Sequence, residues 1–505
     1  MPDGIILAAD VLLPEPDPAT LQADAAVVVV GDRIAAIGAL SEVRQRFPRA
    51  GVENLPGCLL MAGFINAHQH GRGVSQVQLG YAEDFLELWI ASRRARGPID
   101  PYPITRLAAA RMLENGVTTT VHANYSYGSG DYEAEVRASL RAYDEAGIRV
   151  TMCIGAMDRG FVVYPPYEAA FLAALPAELR RWLEIKPPGP YAGDAAATVA
   201  LMRRLLADYA GQPRIRFCYG PAGLQWVSDE LLAQLAADAE AKGLGLHLHL
   251  IESPAQRAAS RALYPDGAMR HLERLGALGP RTVFAHGVYA DGRDLEAIAR
   301  HGAVMVRNPG SNLRVRNGIA PLAMWLEHGV KVAIGTDNTA LADDEDLLRE
   351  LRLADLLART ADWDGPSLPT AGDLLAMLTV NGAAAAQVAD ETGTLRVGAM
   401  ADLVAIDLGR AREPYLSPQM PLLDAMLARG CGADVRLTMV DGRILYRDGE
   451  LPHLDRHALA AQAADAARRA EAPLEADDRA RTDALRERLV AHYAGLTARA
   501  AESAP

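Results

Sequence analysis

The chain has 505 residues, half of them hydrophobic, and a formal net charge of −13. That length admits roughly two to four domains, or one large barrel with additions, around a sizeable core. The acidic balance, with no basic stripe, argues against a nucleic-acid partner, and no apolar run reaches the ~18 residues that cross a bilayer, so no membrane partner is expected.

The N-terminus, MPDGIILAADVLLPEPDP, lacks a basic stretch before its short apolar run. No signal peptide is expected, and the protein is expected in the cytoplasm. Cys58, Cys153, Cys218 and Cys431 show no CxxC spacing, and three of them lie in apolar runs, as buried thiols do. Residues 1–60 read as short strands (GIILAADVLL, AAVVVVGDRIAAIG, GVENLPGCLL) divided by Gly-Asp and Pro turns. The texture returns at 389–452, in TGTLRVGAMADLVAID and VRLTMVDGRILYRDGE. The two flanks are expected to pair as one small β-sandwich domain built from both chain ends.

Over 61–388 the texture is strand, helix, strand, helix. Eight apolar runs have strand character: CLLMAGFI (58–65), VTTTV (117–121), RVTMCI (149–154), IRFCY (215–219), LGLHLHL (244–250), RTVFA (281–285), AVMV (303–306) and VKVAI (330–334). Amphipathic segments such as DELLAQLAADAEAKG stand between most of them. The rhythm predicts an α/β chain with a (β/α)8 TIM-type barrel. The interval 155–213, rich in Pro, Gly and Tyr, is expected to elaborate the barrel mouth. The tail, 453–505, has helical spacing and suits packing or an oligomer contact.

The chemistry sits at the ends of these runs. His68 and His70 end the first, His122 the second, and His286 the sixth; His247 and His249 lie in the fifth, with Glu252 after them, and Asp337 follows the eighth in GTDN. In a barrel the C-terminal strand ends converge on one mouth. Alternation puts His68 and His70 on one side of their strand, where both imidazoles can share a divalent ion. His249 and Asp337 are the candidates to complete the set. His247, one step deeper, reads better as a hydrogen-bonded core histidine. Each residue alone has a bland reading: a solvated strand tip, a turn aspartate, a satisfied core histidine. Their joint placement favours a metal site.

With these segments in view (PGCLLMAGFINAHQH, LHLHLIES, FAHG, NPGSNLRVRNGIAPL, IGTDN, TGTLRVGAMADLVAID) the chain resembles the amidohydrolase superfamily, and within it the aminohydrolase and chlorohydrolase branch of S-adenosylhomocysteine deaminases, guanine deaminases and triazine hydrolases. The resemblance implies a single divalent ion, zinc or alternatively iron, on His68, His70, His249 and Asp337. It implies Glu252 as proton shuttle and His286 as the group that orients the attacking water or polarises the bond, with Asp337 sharing in catalysis. Some relatives bridge two metals with a lysine on the fourth strand; here that run is IRFCY, and lysine occurs only at Lys186, Lys242 and Lys331. The implied reaction is attack of metal-bound hydroxide on a ring carbon of a purine, pyrimidine, pterin or triazine, with release of ammonia. Dechlorination or cyclic-amide hydrolysis is the alternative at the same site, and a non-enzymatic barrel used for assembly is the remote one. Some relatives that displace chloride lack the glutamate, so Glu252 tilts the reading to deamination. A homodimer or higher homo-oligomer is the implied assembly.

The substrate side departs from the branch. Gln69 stands between the histidines, GRGVSQVQLGYAEDFLELWI follows, and TDNTALADDED replaces the more usual Asp-Gly step after the eighth strand. Gln78, Trp89, His122, Tyr125, Arg159 and Asn338 are the candidate substrate contacts, with Gln76 and Tyr127 nearby and exposed loop positions as the plainer alternative.

Overall fold

The computed structural model describes residues 4–95, 97–185, 191, 193–338, 340–361, 363–471 and 476–502. Eight parallel strands form the central sheet: β1 (Phe64–Gln69), β2 (Val117–Asn124), β3 (Arg149–Ala156), β4 (Ile215–Pro221), β5 (Leu246–Leu250), β6 (Thr282–His286), β7 (Val304–Arg307) and β8 (Lys331–Ile334), neighbours in that order. The sheet closes where β8 returns to β1. Gln69 and Asp337 form an isolated parallel bridge, and Asp337 N donates to His68 O at 2.9 Å. The closing bond therefore involves two of the residues singled out above.

The strands are buried on both faces, which is why they read as apolar runs without clean alternation. The helices between them start and stop on local signals. Asp131 accepts from Ala134 N at 3.0 Å and opens the helix Tyr132–Ala146, which Gly147 ends at φ +85°; Ser228 and Gly243 do the same for Asp229–Lys242. One end of the barrel is plugged. Ile65, Val121, Cys153 and Cys218 pack on Ala383, Ala386 and Val388, while Val283, Val304 and Val306 pack with Ala385. Chemistry is left to the other end.

A second, seven-stranded sheet joins the chain ends. Its centre pairs Gly51–Ala62 antiparallel with Leu403–Asp407, from Ala62 opposite Leu403 to Cys58 opposite Asp407. The sheet folds over its own core of Leu7, Val27, Leu60, Leu403 and Met439, and its edge strand Arg33–Ala39 is tied to the segment before Leu403 where Ile34 N donates to Ala399 O at 3.0 Å. The small β domain is thus one continuous sheet. The run CLLMAGFI does not form a single strand. It divides at Gly63: residues through Ala62 pair in the small sheet, and Phe64 onward pairs with β2. A Cβ at Gly63 would lie 2.2 Å from the Thr118 side chain, so the crossing needs glycine.

The interval after β3 carries two short helices, Glu168–Ala174 and Ala177–Ile185, then Ala195–Asp208, which packs on β3. The tail helix Ala476–Glu502 lies on this elaboration. Leu485, Leu489, Tyr493 and Leu496 pack with Tyr164, Trp182, Trp226 and Leu88, and Trp182 Nε1 donates to Asp478 at 2.9 Å. No described helix is long and apolar enough to cross a membrane.

Candidate active site

The open end of the barrel gathers His68, His70, His249, His286 and Asp337. One donor atom from each of His68, His70 and His249 lies within 4.8 Å of the others, and the same holds for His68, His286 and Asp337. Their outward nitrogens are taken. His70 Nδ1 donates to Ala123 O at 2.6 Å and His249 Nδ1 to Ala222 O at 2.8 Å. A carbonyl only accepts, so each ring carries its proton on Nδ1 and turns the Nε2 lone pair inward. His70 Nε2 then faces Asp337 Oδ1 at 2.9 Å, and His68 Nε2 faces it at 3.5 Å. Burial holds His68 down at about 4 and lowers His70 and His249 as well, so these rings are neutral near pH 7. Burial works to raise the Asp337 carboxyl, but the adjoining imidazoles hold it well below the usual range. The Nε2 lone pairs of His70 and His249 and the Asp337 carboxylate face the same space, where the Tyr125 hydroxyl also reaches His249 Nε2 at 2.9 Å. A cation is what such a cluster could hold.

His247 sits one step deeper and shares a 2.8 Å hydrogen bond with His68 Nδ1. Glu252 is 3% exposed, and both its oxygens are held: Oε1 by Gln256 Nε2 at 3.0 Å and Oε2 by Asn317 Nδ2 at 3.1 Å. Oε2 is 3.4 Å from His286 Nε2. Burial raises the Glu252 carboxyl and the positive side of His286 opposes it, which suits a group that takes and returns a proton. One segment, after β7, orients three of these side chains. Ser311 Oγ donates to Asp337 Oδ2 at 2.5 Å, Asn312 Oδ1 pairs with His286 Nδ1 at 2.8 Å, and Asn317 holds Glu252. Sequence reasoning quoted this segment but did not single out these three side chains. The signal was a run of polar residues immediately after a barrel strand.

The candidate substrate contacts scatter. Tyr125 faces the cluster, its ring 4.5 Å from that of His70 and its hydroxyl 2.9 Å from His249 Nε2. Asn338 Nδ2 reaches Asp337 at 3.4 Å, and its Oδ1 is buried without a partner among the described residues. Gln76 is buried with its side-chain amide unbonded among the described residues, and Tyr127 donates to His70 O at 2.9 Å. The others are spent elsewhere. His122 is fully buried against Tyr143, 3.0 Å from its hydroxyl. Arg159 Nη2 donates to Leu224 O at 3.0 Å and to Tyr264 at 2.8 Å. Trp89 packs with Leu86 and Val315, and Gln78 is exposed with its carbonyl on Ser75 N. Gln69 also turns away from the cluster, donating to Thr120 at 3.0 Å and Tyr143 at 2.9 Å and accepting from Gly71 N. It braces the turn that follows the histidines.

Behind Asp337, Glu345 accepts from Thr336 Oγ1 at 2.6 Å and Asn66 Nδ2 at 3.2 Å. Burial pushes its carboxyl up from 4.5 to about 7. The folded chain therefore holds this proton more tightly than the unfolded one, and the stability gained from it is lost as pH rises from 4.5 through 7. Glu345→Gln keeps the acceptor and removes the titration. In urea unfolding its advantage over the wild type should widen from pH 5 to pH 8; an advantage that does not change with pH would rule out this titration.

The amidohydrolase family model matches residues 59–445. A model of an imidazolonepropionase-like composite domain matches residues 25–50, in the small sheet. A 5-methylthioadenosine/S-adenosylhomocysteine deaminase of Nitratidesulfovibrio vulgaris is 30% identical over 475 residues, which cover 92% of this chain and 98% of that protein. Among solved structures, a zinc-bound adenosine deaminase from Xanthomonas campestris superposes with a TM-score of 0.77 at 23% identity, covering 94% of this chain and 99% of its own. A zinc-bound atrazine chlorohydrolase from Arthrobacter aurescens gives 0.75 at 23% identity, covering 92% and 100%.

Proposed function

Because the chain belongs to the amidohydrolase family, we propose that it is a metal-dependent hydrolase that deaminates a nitrogen heterocycle of purine, pyrimidine, pterin or triazine type. The observation that carries this is the cluster of inward lone pairs around Asp337 Oδ1 with Glu252 beside it. The buried Nε2 atoms of His68 and His286 make no hydrogen bond among the described residues, and three imidazoles with one carboxylate is a donor set that suits zinc. His68, His70, His249 and Asp337 would hold one divalent ion. When bound, it would act as a Lewis acid and bring the pKa of a water toward ~7.

The chain's own residues do the rest. Asp337, kept ionised, accepts a proton at Oδ1 or Oδ2, and Ser311 fixes which way the carboxylate faces. Glu252, clamped by Gln256 and Asn317, carries a proton between the water and the ring nitrogen or departing amine. Water contributes its oxygen to the ring carbon, the carbon–nitrogen bond breaks, and ammonia leaves. His286, oriented by Asn312, donates or yields at Nε2 beside the charge that develops. Tyr125 and Asn338 are the neighbours we assign to the substrate; Gln78, Trp89, His122 and Arg159, engaged elsewhere, are not assigned to it.

We further propose zinc in preference to iron, a homodimer or higher homo-oligomer, and a cytoplasmic location; zinc is supported by the two zinc-bound relatives of the same fold. Metal analysis with ammonia release over a heterocycle panel tests the main reading. Chelation should abolish turnover, and one equivalent of zinc per chain should restore it. Pure protein that binds no metal, and that no added metal activates, would sink the proposal.

A further inference from the structure

A buried carboxyl group beside the acid–base residue is spent on hydroxyls. Glu87 lies in the helix Leu86–Ser92, where Leu86, Glu87, Leu88 and Trp89 are all buried. Leu86 and Trp89 pack with Val315, while Leu88 packs with the elaboration after β3 and the tail helix. Glu87 Oε1 accepts from the Tyr164 hydroxyl at 3.1 Å and from Ser253 Oγ. Burial raises its carboxyl, and these two bonds oppose the rise. Asp402, equally enclosed, has Arg149 as its partner; among the described residues no basic side chain pairs with Glu87. Such a group costs stability unless its hydrogen bonds repay it.

Both hydroxyls lead to Gln256. Ser253 Oγ accepts from Gln256 N at 3.1 Å, where it caps the helix Pro254–Leu263, so its own hydrogen goes to Glu87. Gln256 Oε1 accepts from Glu252 N at 3.0 Å, which settles the orientation of the amide. Gln256 Nε2 then donates to Glu252 Oε1 at 3.0 Å and toward the Tyr164 hydroxyl at 3.4 Å. A hydroxyl that accepts from this amide sends its hydrogen on to Glu87. The donors therefore run one way, from Gln256 through Tyr164 and Ser253 to Glu87 Oε1. With no acceptor at position 87, the Tyr164 hydrogen would turn against Gln256 Nε2, donor against donor, and displace the amide from Glu252. Gln256 has no proton to pass on, so the chain positions and does not relay.

We propose that Glu87 is a positioning residue for Glu252: through Tyr164, Ser253 and Gln256 it holds the N–H that grips Glu252 Oε1, and so keeps Oε2 turned to His286 Nε2. The three supports come from segments far apart in the chain, the helix after β1, the elaboration after β3 and the helix after β5. The proposal deepens the deaminase reading and rests on it for what Glu252 does.

Three variants test it, each loaded with metal: Glu87→Leu, Glu87→Gln and Tyr164→Phe. Crystal structures are read beside kcat and KM for ammonia release. Glu87→Leu should part Gln256 Nε2 from Glu252 Oε1 beyond hydrogen-bond reach. Its kcat should fall about 10–100-fold while KM and metal content stay near those of the wild type. Glu87→Gln keeps the acceptor and should recover most of the loss, with Gln256 back in place. Tyr164→Phe keeps the ring against Trp226 and Tyr493 and serves where Glu87→Leu does not fold. It should split the Gln256 side chain between two positions and lower kcat by less, because Ser253 still reaches Glu87. Gln256 unmoved in Glu87→Leu, or wild-type kcat with an ordered Gln256 in Tyr164→Phe, would overturn the proposal. So would a Glu87→Gln protein as impaired as Glu87→Leu, or a raised KM at unchanged kcat. If the wild type releases ammonia from no heterocycle, the deaminase reading fails, and the position of Gln256 in the crystal structures still decides whether Glu87 holds Glu252.

Discussion

Glu252→Gln should bind its metal ion in full and lose turnover by ~10²–10⁴-fold, the range for a positioned acid–base group. Gln is close to isosteric, and Glu252 is not among the residues whose donor atoms cluster closely enough to share an ion, so metal content should match the wild type. What goes is the proton. The carboxyl sits 3.4 Å from His286 Nε2 with its oxygens gripped by Gln256 and Asn317. A fall in kcat and kcat/KM together would mark an interaction made at the transition state. A variant that keeps its metal and half its activity would remove Glu252 from the mechanism and leave only its structural role.

The part of this site legible in the sequence is the part set by strand period and strand order. His68 and His70 are two apart on one strand, and His249 and Asp337 end later strands of the same barrel, so repetition alone brings them to one mouth. Alternation puts His247 and His249 on one side as well; depth along the strand is what separates them, and the 2.8 Å bond between His247 and His68 accords with a deeper, hydrogen-bonded His247.

What alternation could not decide is which face of a doubly buried strand looks inward. His122 follows the apolar run 117–121 as the other histidines follow theirs, but the strand continues to Asn124 and Val121 belongs to the barrel plug, so His122 points outward to Tyr143. The split of CLLMAGFI at Gly63 was hidden for a related reason. An all-apolar run has no period, and only its partners, Leu403 on one side and Val117 on the other, show where it divides. The tail helix shows its apolar stripe in sequence, Leu485, Leu489, Tyr493 and Leu496, but a stripe does not say what it covers; here it is the elaboration after β3. Ser311, Asn312 and Asn317 had the clearest unread signal. Which side chain each would hold depends on the return of three other strands, and sequence spacing carries none of that.

The largest stability effect is expected far from the histidines, at Asp402→Ala. Arg149 opens β3, is 1% exposed, and donates through Nε to Asp402 at 3.0 Å, through Nη2 to Asp441 at 2.6 Å and through Nη1 to Pro213 O at 2.9 Å. Asp402 is itself 1% exposed and takes a second bond from Asp441 N at 2.9 Å. Its own carbonyl accepts from Gly63 N, at the point where the chain passes from the small sheet into β1. One buried ion pair thus ties the small sheet to the barrel wall. Removing one partner leaves a buried guanidinium short of an anion, which costs about 3–5 kcal/mol, far more than a surface pair is worth. Asp402→Asn keeps an acceptor for Arg149 and should cost less. The urea midpoint, followed by tryptophan fluorescence, reads the difference. Activity per folded molecule should hold, because Arg149 is at the start of β3 and the chemistry is at the strands' other ends. A loss below 1 kcal/mol for Asp402→Ala would mean that Asp441 alone can neutralise Arg149 and that the joint does not depend on Asp402.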